Sequence, residues 1–361
     1  MPPVPASPED QRILLNALNG IGPVMVRRLR EAFGGDLAAA LGAPREALLK
    51  VKGIGPVAVE TLLGRDFDPA KERERAGRLG VRILTELDPG WPEALAPMWD
   101  PPLALYAEGG ALPTARTVAI VGSRRCTPYG TALARRLSAD LARRGWWIIS
   151  GLARGIDQAA HEGALEADGW TAAVLGHGLD HTHPPEALAL RRRIARQGCV
   201  LSEFPIGRPP DRRSFPQRNR LVAALSRAVV VIETDTEGGS LITARFAMEL
   251  GRTVCATPGR ADSPASRGCH ALIRDGATLV TSADEVLEEL GEAPATTATR
   301  PSPTDTASNP WLAHFAGGEA HDAESLALAA GCATADAAVA LTQLEIEGQL
   351  RRRLDGRHEQ A

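Results

Sequence analysis

Aromatic residues make up only 4% of this 361-residue chain, and lysine is nearly absent: of 41 basic residues, only Lys50, Lys52 and Lys71 are not arginine. No apolar run approaches the roughly 18 residues of a membrane-spanning helix, so a membrane protein is not expected. The five cysteines, at 126, 199, 255, 269 and 332, form no Cys-x-x-Cys pair. That spacing and the odd count argue against a disulfide framework. Residues 1–12 show no basic-then-apolar leader. The expectation is a cytoplasmic protein with free thiols, no metal and no cofactor.

What the chain does have is arginine, unevenly placed. From Ala187 to Ile232 ten arginines stand against two acids, Glu203 and Asp211, a local net of +8 in a chain whose total is −3. Arginine stays charged and grips phosphate bidentately, so this asymmetry points to a phosphate-tracking groove. Arg191, Arg192 and Arg193 read more plainly as a solvated helix face. The block Ser214-Phe-Pro-Gln-Arg-Asn-Arg220 is different, because Pro, Phe and Asn between the charges do not make an ordinary exposed helix. Phe215 offers a face on which a base can stack.

The pattern along the chain predicts three parts. Residues 1–86 read as a helical domain in which Leu18-Asn-Gly-Ile-Gly-Pro23 recurs as Val51-Lys-Gly-Ile-Gly-Pro56. Each copy fits a tight glycine turn between two helices, the helix-hairpin-helix (SAM-like) pattern, which serves either as a phosphate contact or only as a corner. Residues 87–113 read as a Pro- and Trp-containing connector whose Trp91, Met98, Trp99 and Tyr106 should be covered. Residues 114–290 alternate short apolar strands with helices, which implies a Rossmann-like parallel sheet covered on both faces. Residues 291–309 are a Pro/Thr/Ala linker expected to be flexible. Residues 310–361 read as helix, turn, helix and basic hairpin, a winged-helix pattern.

Ligands on parallel sheets bind beyond the carboxyl ends of the strands. Gly122, Ser123, Arg124, Gly151, Gly155, Gly176, Gly178, Gly238, Gly239 and Ser240 all fall there, which predicts one anion site. Arg212, Arg218, Asn219 and Arg220 are expected to converge on it. Arg220 has a second reading, as a brace for Glu203 or Asp235. His177, His181 and His183 form a histidine cluster, read as structural rather than as a metal site.

These residues resemble the DNA-processing protein A (DprA, or Smf) family. The likeness rests on Val121-Gly-Ser-Arg124, Ser150-Gly-Leu-Ala-Arg-Gly-Ile-Asp157, Leu175-Gly-His-Gly-Leu-Asp180, Phe215-Pro-Gln-Arg-Asn-Arg220, Ser240-Leu-Ile-Thr-Ala244 and Leu272-Ile-Arg-Asp-Gly-Ala277. The resemblance implies a non-catalytic, single-stranded-DNA-binding recombination mediator of natural transformation. Such a protein protects incoming strands and helps load RecA, with single-stranded-DNA-binding protein as a further partner. It also implies that Arg124 and Arg212 contact DNA beside Phe215. A homodimer through Met248, His270, Ile273 and Leu279 would join two basic pockets. The chain departs from the family at His183-Pro184-Pro185-Glu186-Ala187, where Pro185 replaces a DNA-contacting lysine, and at Gly238-Gly239-Ser240, which lacks one hydroxyl. The rival reading is a Rossmann-like nucleotide phosphoribohydrolase. Against it, Arg245 stands where that chemistry needs a carboxylate, and guanidinium stays protonated.

Overall fold

Glycine-terminated, proline-initiated segments open the chain, and each becomes a short helix. The computed structural model describes residues 3–292, 310–315, 319–346, 349–353 and 356–360. The chain divides between residues 293 and 294 into two compact units.

The first unit begins with six helices: α1 (Pro8–Ala17), α2 (Pro23–Ala32), α3 (Leu37–Gly42), α4 (Arg45–Leu49), α5 (Pro56–Gly64) and α6 (Pro69–Arg78). Both repeats form the expected helix–turn–helix. Gly20 and Gly53 take φ of 78° and 80°, which only glycine adopts freely. Ile21 and Ile54 point inward, at 6% and 5% exposure. Pro23 and Pro56 start the next helix, where a missing N–H costs nothing.

A nine-stranded sheet follows. Its strands are β1 (Val81–Leu84), β2 (Leu105–Gly109), β3 (Thr117–Gly122), β4 (Trp147–Ser150), β5 (Thr171–Leu175), β6 (Cys199–Ser202), β7 (Ala228–Ile232), β8 (Thr253–Ala256) and β9 (Thr278–Leu279). They are joined in the order β1-β2-β6-β5-β4-β3-β7-β8-β9. Strands β3 to β9 run parallel, whereas β1 and β2 are antiparallel additions at one edge. The intervening helices are α7 (Pro128–Arg143), α8 (Ile156–Glu166), α9 (Leu188–Gln197), α10 (Ser214–Ala224), α11 (Ser240–Glu249), α12 (Pro264–Arg274) and α13 (Ala283–Glu289). Strand β3 alternates between two cores: Ala119 and Val121 face the core that holds Ala244 and Ala247 of α11. Val118 and Ile120 face the one that holds Leu133 and Leu137 of α7. Helices leaving β3 and β7 therefore pass to opposite faces, and a crevice opens between the ends of these two adjacent strands.

Three expectations need correction. Residues 81–84 and 105–109 are not the end of a helical domain and part of a connector; they are strands of the sheet. Tyr106 pairs with Ser202 and Ala107 with Leu201. Four- and five-residue strands among prolines carry too few residues to show an alternation. Met98 and Tyr106 are buried, but Trp99 is 70% exposed. It is covered on one face by Arg27, whose guanidinium carbon lies 3.3 Å from the ring centroid. Arg191 is likewise no solvated residue. It is buried, donates to Glu108 at 2.6 Å and to Thr182 at 2.9 Å, and ties β2 to the loop after β5.

The second unit holds α14 (Ala323–Ala330), α15 (Thr334–Ile346) and a hairpin of β10 (Leu350–Arg352) with β11 (His358–Gln360). Gly331 ends α14 at φ 66°. Ala337, Leu341 and Leu344 form the inner face of α15, as their spacing predicts. Apart from Gly291 and Glu292, the linker lies outside the described residues. Glu292 pairs with Arg116 at 3.1 Å and Arg227 at 3.2 Å. Among the described residues, no single helix is long and apolar enough to cross a membrane.

Candidate nucleic-acid interface

The crevice between the ends of β3 and β7 is a cleft of about 860 Å³. Its first wall is the loop that follows β3. Gly122 has no space for a side chain, since a Cβ would stand 1.8 Å from the carbonyl oxygen of Ile232. The Ser123 N–H donates to the Glu233 carbonyl at 2.7 Å. The Thr127 N–H donates to the Glu233 carboxylate, also at 2.7 Å. Glu233, held at φ 47°, thus anchors both ends of the loop and occupies the start of α7. Arg124 and Arg125 are left exposed at the mouth of the cleft.

The second wall is α10 and the turn before it. Asp211 closes that turn by accepting the Arg213 N–H at 3.0 Å, which leaves Arg212 exposed over the cleft. Phe215, half-buried, stands in the first turn of α10. Its ring centroid lies 5.5 Å from that of His183 and 5.5 Å from the Arg124 guanidinium carbon. Gly176 makes room for the ring: a Cβ there would come within 3.1 Å of Phe215 Cδ1.

Arg218 lies one turn further and forms the floor. It is buried, donates to the Gly151 carbonyl at 2.6 Å and to the Val174 carbonyl, and reaches Asn219 Oδ1 at 3.2 Å. Burial pulls its pKa down to about 10, opposed by the charge of Asp157. Asp157 is itself buried, accepts the N–H groups of Gly151 and Ala153 at 3.1 and 3.3 Å, and burial raises its pKa. The third side is the start of α11. Asn219 donates to the Gly239 carbonyl at 3.4 Å, and Ser240 donates to Thr234 Oγ1 at 2.8 Å. Gly239 is exposed with open space around it.

Most of the expected anion site is therefore brought together, with exceptions. Arg220 does not line the cleft. It is buried against Glu203 and donates to the Asp100 carbonyl at 2.7 Å, so the bracing role is the one realised. Gly155, Gly176 and Gly178 also lie off the cleft lining. Gly155 packs on the Ser123 carbonyl, and a Cβ on Gly178 would stand 2.5 Å from the Pro205 carbonyl oxygen. The three histidines part company. His177 is buried beside the Gly178 carbonyl, and burial holds its pKa down to about 4. His181 lies 3.6 Å from Asp180, and His183 lines the cleft. Sequence reasoning missed His183, Arg125 and Pro210 as lining residues. The Arg-Arg pair after Gly122-Ser123 was a signal for Arg125, and the element His183-Pro184-Pro185, where relatives place a DNA-contacting lysine, was one for His183; nothing local marked Pro210.

At the far edge of the sheet, Met248 and Leu279 are 53% and 47% exposed, not members of the core. Leu279 sits on the edge strand β9. Ile273 packs partly against the core, and His270 lies 3.0 Å from the Gly259 carbonyl.

Comparison with known proteins agrees with this architecture. The chain is 39% identical over 287 residues to Protein Smf of Synechocystis, covering 77% of this chain and 71% of that one. Its fold is similar to that of DNA processing protein A from Streptococcus pneumoniae, with TM-score 0.68 and 33% identity over 78% of this chain and 98% of that chain. It is also similar to DNA processing protein A from Helicobacter pylori, whose structure was described for its single-stranded DNA binding mode. There the TM-score is 0.53 and the identity 33%, over 58% of this chain and 95% of that one. Residues 82–291, more than half of the chain, match the DNA recombination-mediator protein A family, and the chain belongs to that family of DNA-processing proteins.

Proposed function

We propose that this protein is a single-stranded-DNA-binding recombination mediator that protects incoming strands in natural transformation and passes them to RecA. One observation carries the reading: the crevice between β3 and β7 places exposed Arg124 and Arg212 beside the half-buried ring of Phe215. Fixed charge beside a stacking face suits a flexible strand whose bases can turn out, not a duplex whose bases are already stacked. The Helicobacter pylori relative, described for its single-stranded DNA binding, supports the same reading.

The site is read as non-catalytic. Asp157 and Glu233 are engaged by backbone N–H groups, and Asp235 at the rim accepts the Thr236 N–H at 2.8 Å. Arg245, where a phosphoribohydrolase needs its carboxylate, is exposed on α11. The exposed edge with Met248 and Leu279 is read as the two-fold interface of a homodimer, which would tether two clefts on one strand. The second unit is read as a winged helix that meets a protein or makes only a weak DNA contact. Its α15 carries Asp336 and Glu345 and not one Lys or Arg to meet phosphate.

The deciding experiment compares equilibrium binding of single- and double-stranded oligonucleotides alongside a nucleotide-hydrolysis assay. Preferential single-strand binding without hydrolysis is expected; hydrolysis without strand binding selects the phosphoribohydrolase.

A further inference from the structure

The two Gly-Ile-Gly turns are alike in backbone and unlike in charge. Where the first copy has Ala17 and Asn19, the second has Lys50 and Lys52, both exposed. These are two of only three lysines in the chain. A third cation comes from the first copy: Arg28 of α2 lies against the second turn, and a Cβ on Gly53 would stand 1.8 Å from its Nη1. Among the described residues, Lys50, Lys52 and Arg28 make no ion pair and no side-chain hydrogen bond. Their neighbours do: Arg27 lies 3.7 Å from Glu31, Arg30 3.0 Å from Glu86, and Arg45 3.0 Å from Glu60. Lys50 alone could be explained by the C-terminal end of α4, which favours a cation. Lys52 and Arg28 lie beyond that helix.

Three cations without an acidic partner around one turn make a local positive patch that favours a polyanion. The exposed apolar side chain here is Val57, at 82% exposure, so the patch offers charge without an aromatic face for bases. Binding of that kind draws its free energy from counterion release, which is greatest where phosphates are densest, on a duplex. We infer that the turn at residues 53–55, with Lys50, Lys52 and Arg28, is a second nucleic-acid site that takes the phosphodiester backbone of a duplex. The inference does not depend on what occupies the cleft. It would let one protein hold a single strand and the duplex beside it.

The test uses the full chain and fluorescence anisotropy on a blunt duplex and on a single strand of equal length, across a range of NaCl concentrations. Lys50→Glu/Lys52→Glu should lower duplex affinity about tenfold or more at low salt and reduce its salt slope by about 0.9 for each phosphate no longer neutralised. Single-strand affinity should stay within about twofold, because the patch lacks a stacking face. Lys50→Arg/Lys52→Arg should restore duplex binding. An unchanged duplex affinity and slope would overturn the inference and point to an acidic protein as the occupant. An equal loss on both substrates would also overturn it, as an effect of overall charge. Arg124→Ala separates the two sites: if it leaves single-strand binding intact, the cleft reading fails while the duplex site stands. Both lysines are exposed, so an unaltered thermal melt of the double variant is expected and checks that the loss is not unfolding.

Discussion

The guanidinium carbon of Arg124 lies 5.5 Å from the centroid of the Phe215 ring. One side chain is held by the loop after β3 and the other by the first turn of α10, with three strands between them in the chain. Their meeting defines the cleft, and their separate contributions can be measured.

Arg124 and Arg212 are exposed and make no hydrogen bond or ion pair among the described residues. Arg124→Ala and Arg212→Ala should each weaken single-strand binding and lower its salt slope by about one unit per phosphate released from the interface. Binding titrations at several salt concentrations give both quantities. Unchanged affinity and slope in both variants would remove these residues from the interface.

Phe215 should behave differently, because a ring contributes stacking and no charge. Phe215→Ala should cost about 1–3 kcal/mol per stacked base while the salt slope is preserved. A lower melting temperature with intact affinity would show instead that the ring only packs against His183 and Gly176.

Arg220 predicts a stability effect with a defined pH sign. Its removal leaves the Glu203 carboxylate buried without its counter-charge, a change worth about 3–5 kcal/mol. Burial already pushes the Glu203 pKa up to about 7, with Arg220 pulling it down. A carboxyl whose folded pKa is raised binds more protons folded than unfolded, so its contribution to stability falls as pH rises from about 4.5 through the folded value. Without Arg220 the folded pKa rises further and the window extends above 7. The melting-temperature gap between the native protein and Arg220→Ala should therefore be wider at pH 8 than at pH 5. A gap that narrows as pH rises would contradict the brace.

Leu279 tests the dimer. It lies exposed on the edge strand β9, so an arginine there need not disturb the core. Leu279→Arg should sediment as a folded monomer with weaker cooperative strand binding. A dimer that persists would place the interface elsewhere.

Parallel strands β3 to β8 were legible in the chain because each is a short, largely apolar run ending in glycine or a polar turn, whereas the two-residue β9 carries no such signal. Ala228–Ile232, buried at every position, is the clearest. The repeat at residues 18–23 and 51–56 was legible for a similar reason, since two glycines and a proline leave the backbone few alternatives. Strands β1 and β2 were not, because an antiparallel edge pair is selected by the hydrogen-bonding partners that β6 offers it, and those lie about a hundred residues away. The cleft shows the same division. The glycines and serine at the strand ends marked where the cleft opens, but Arg212, Arg218 and Arg220 are equivalent in composition and differ only in direction. On α10 and the turn before it, one faces solvent, one satisfies carbonyls at the ends of β4 and β5, and one turns back onto Glu203. Composition determined that this protein would carry a local cluster of arginines. Only the packing of α10 against the sheet decided which guanidinium groups stay in water and which must be buried against an acceptor, since a charge taken out of water has to find a partner.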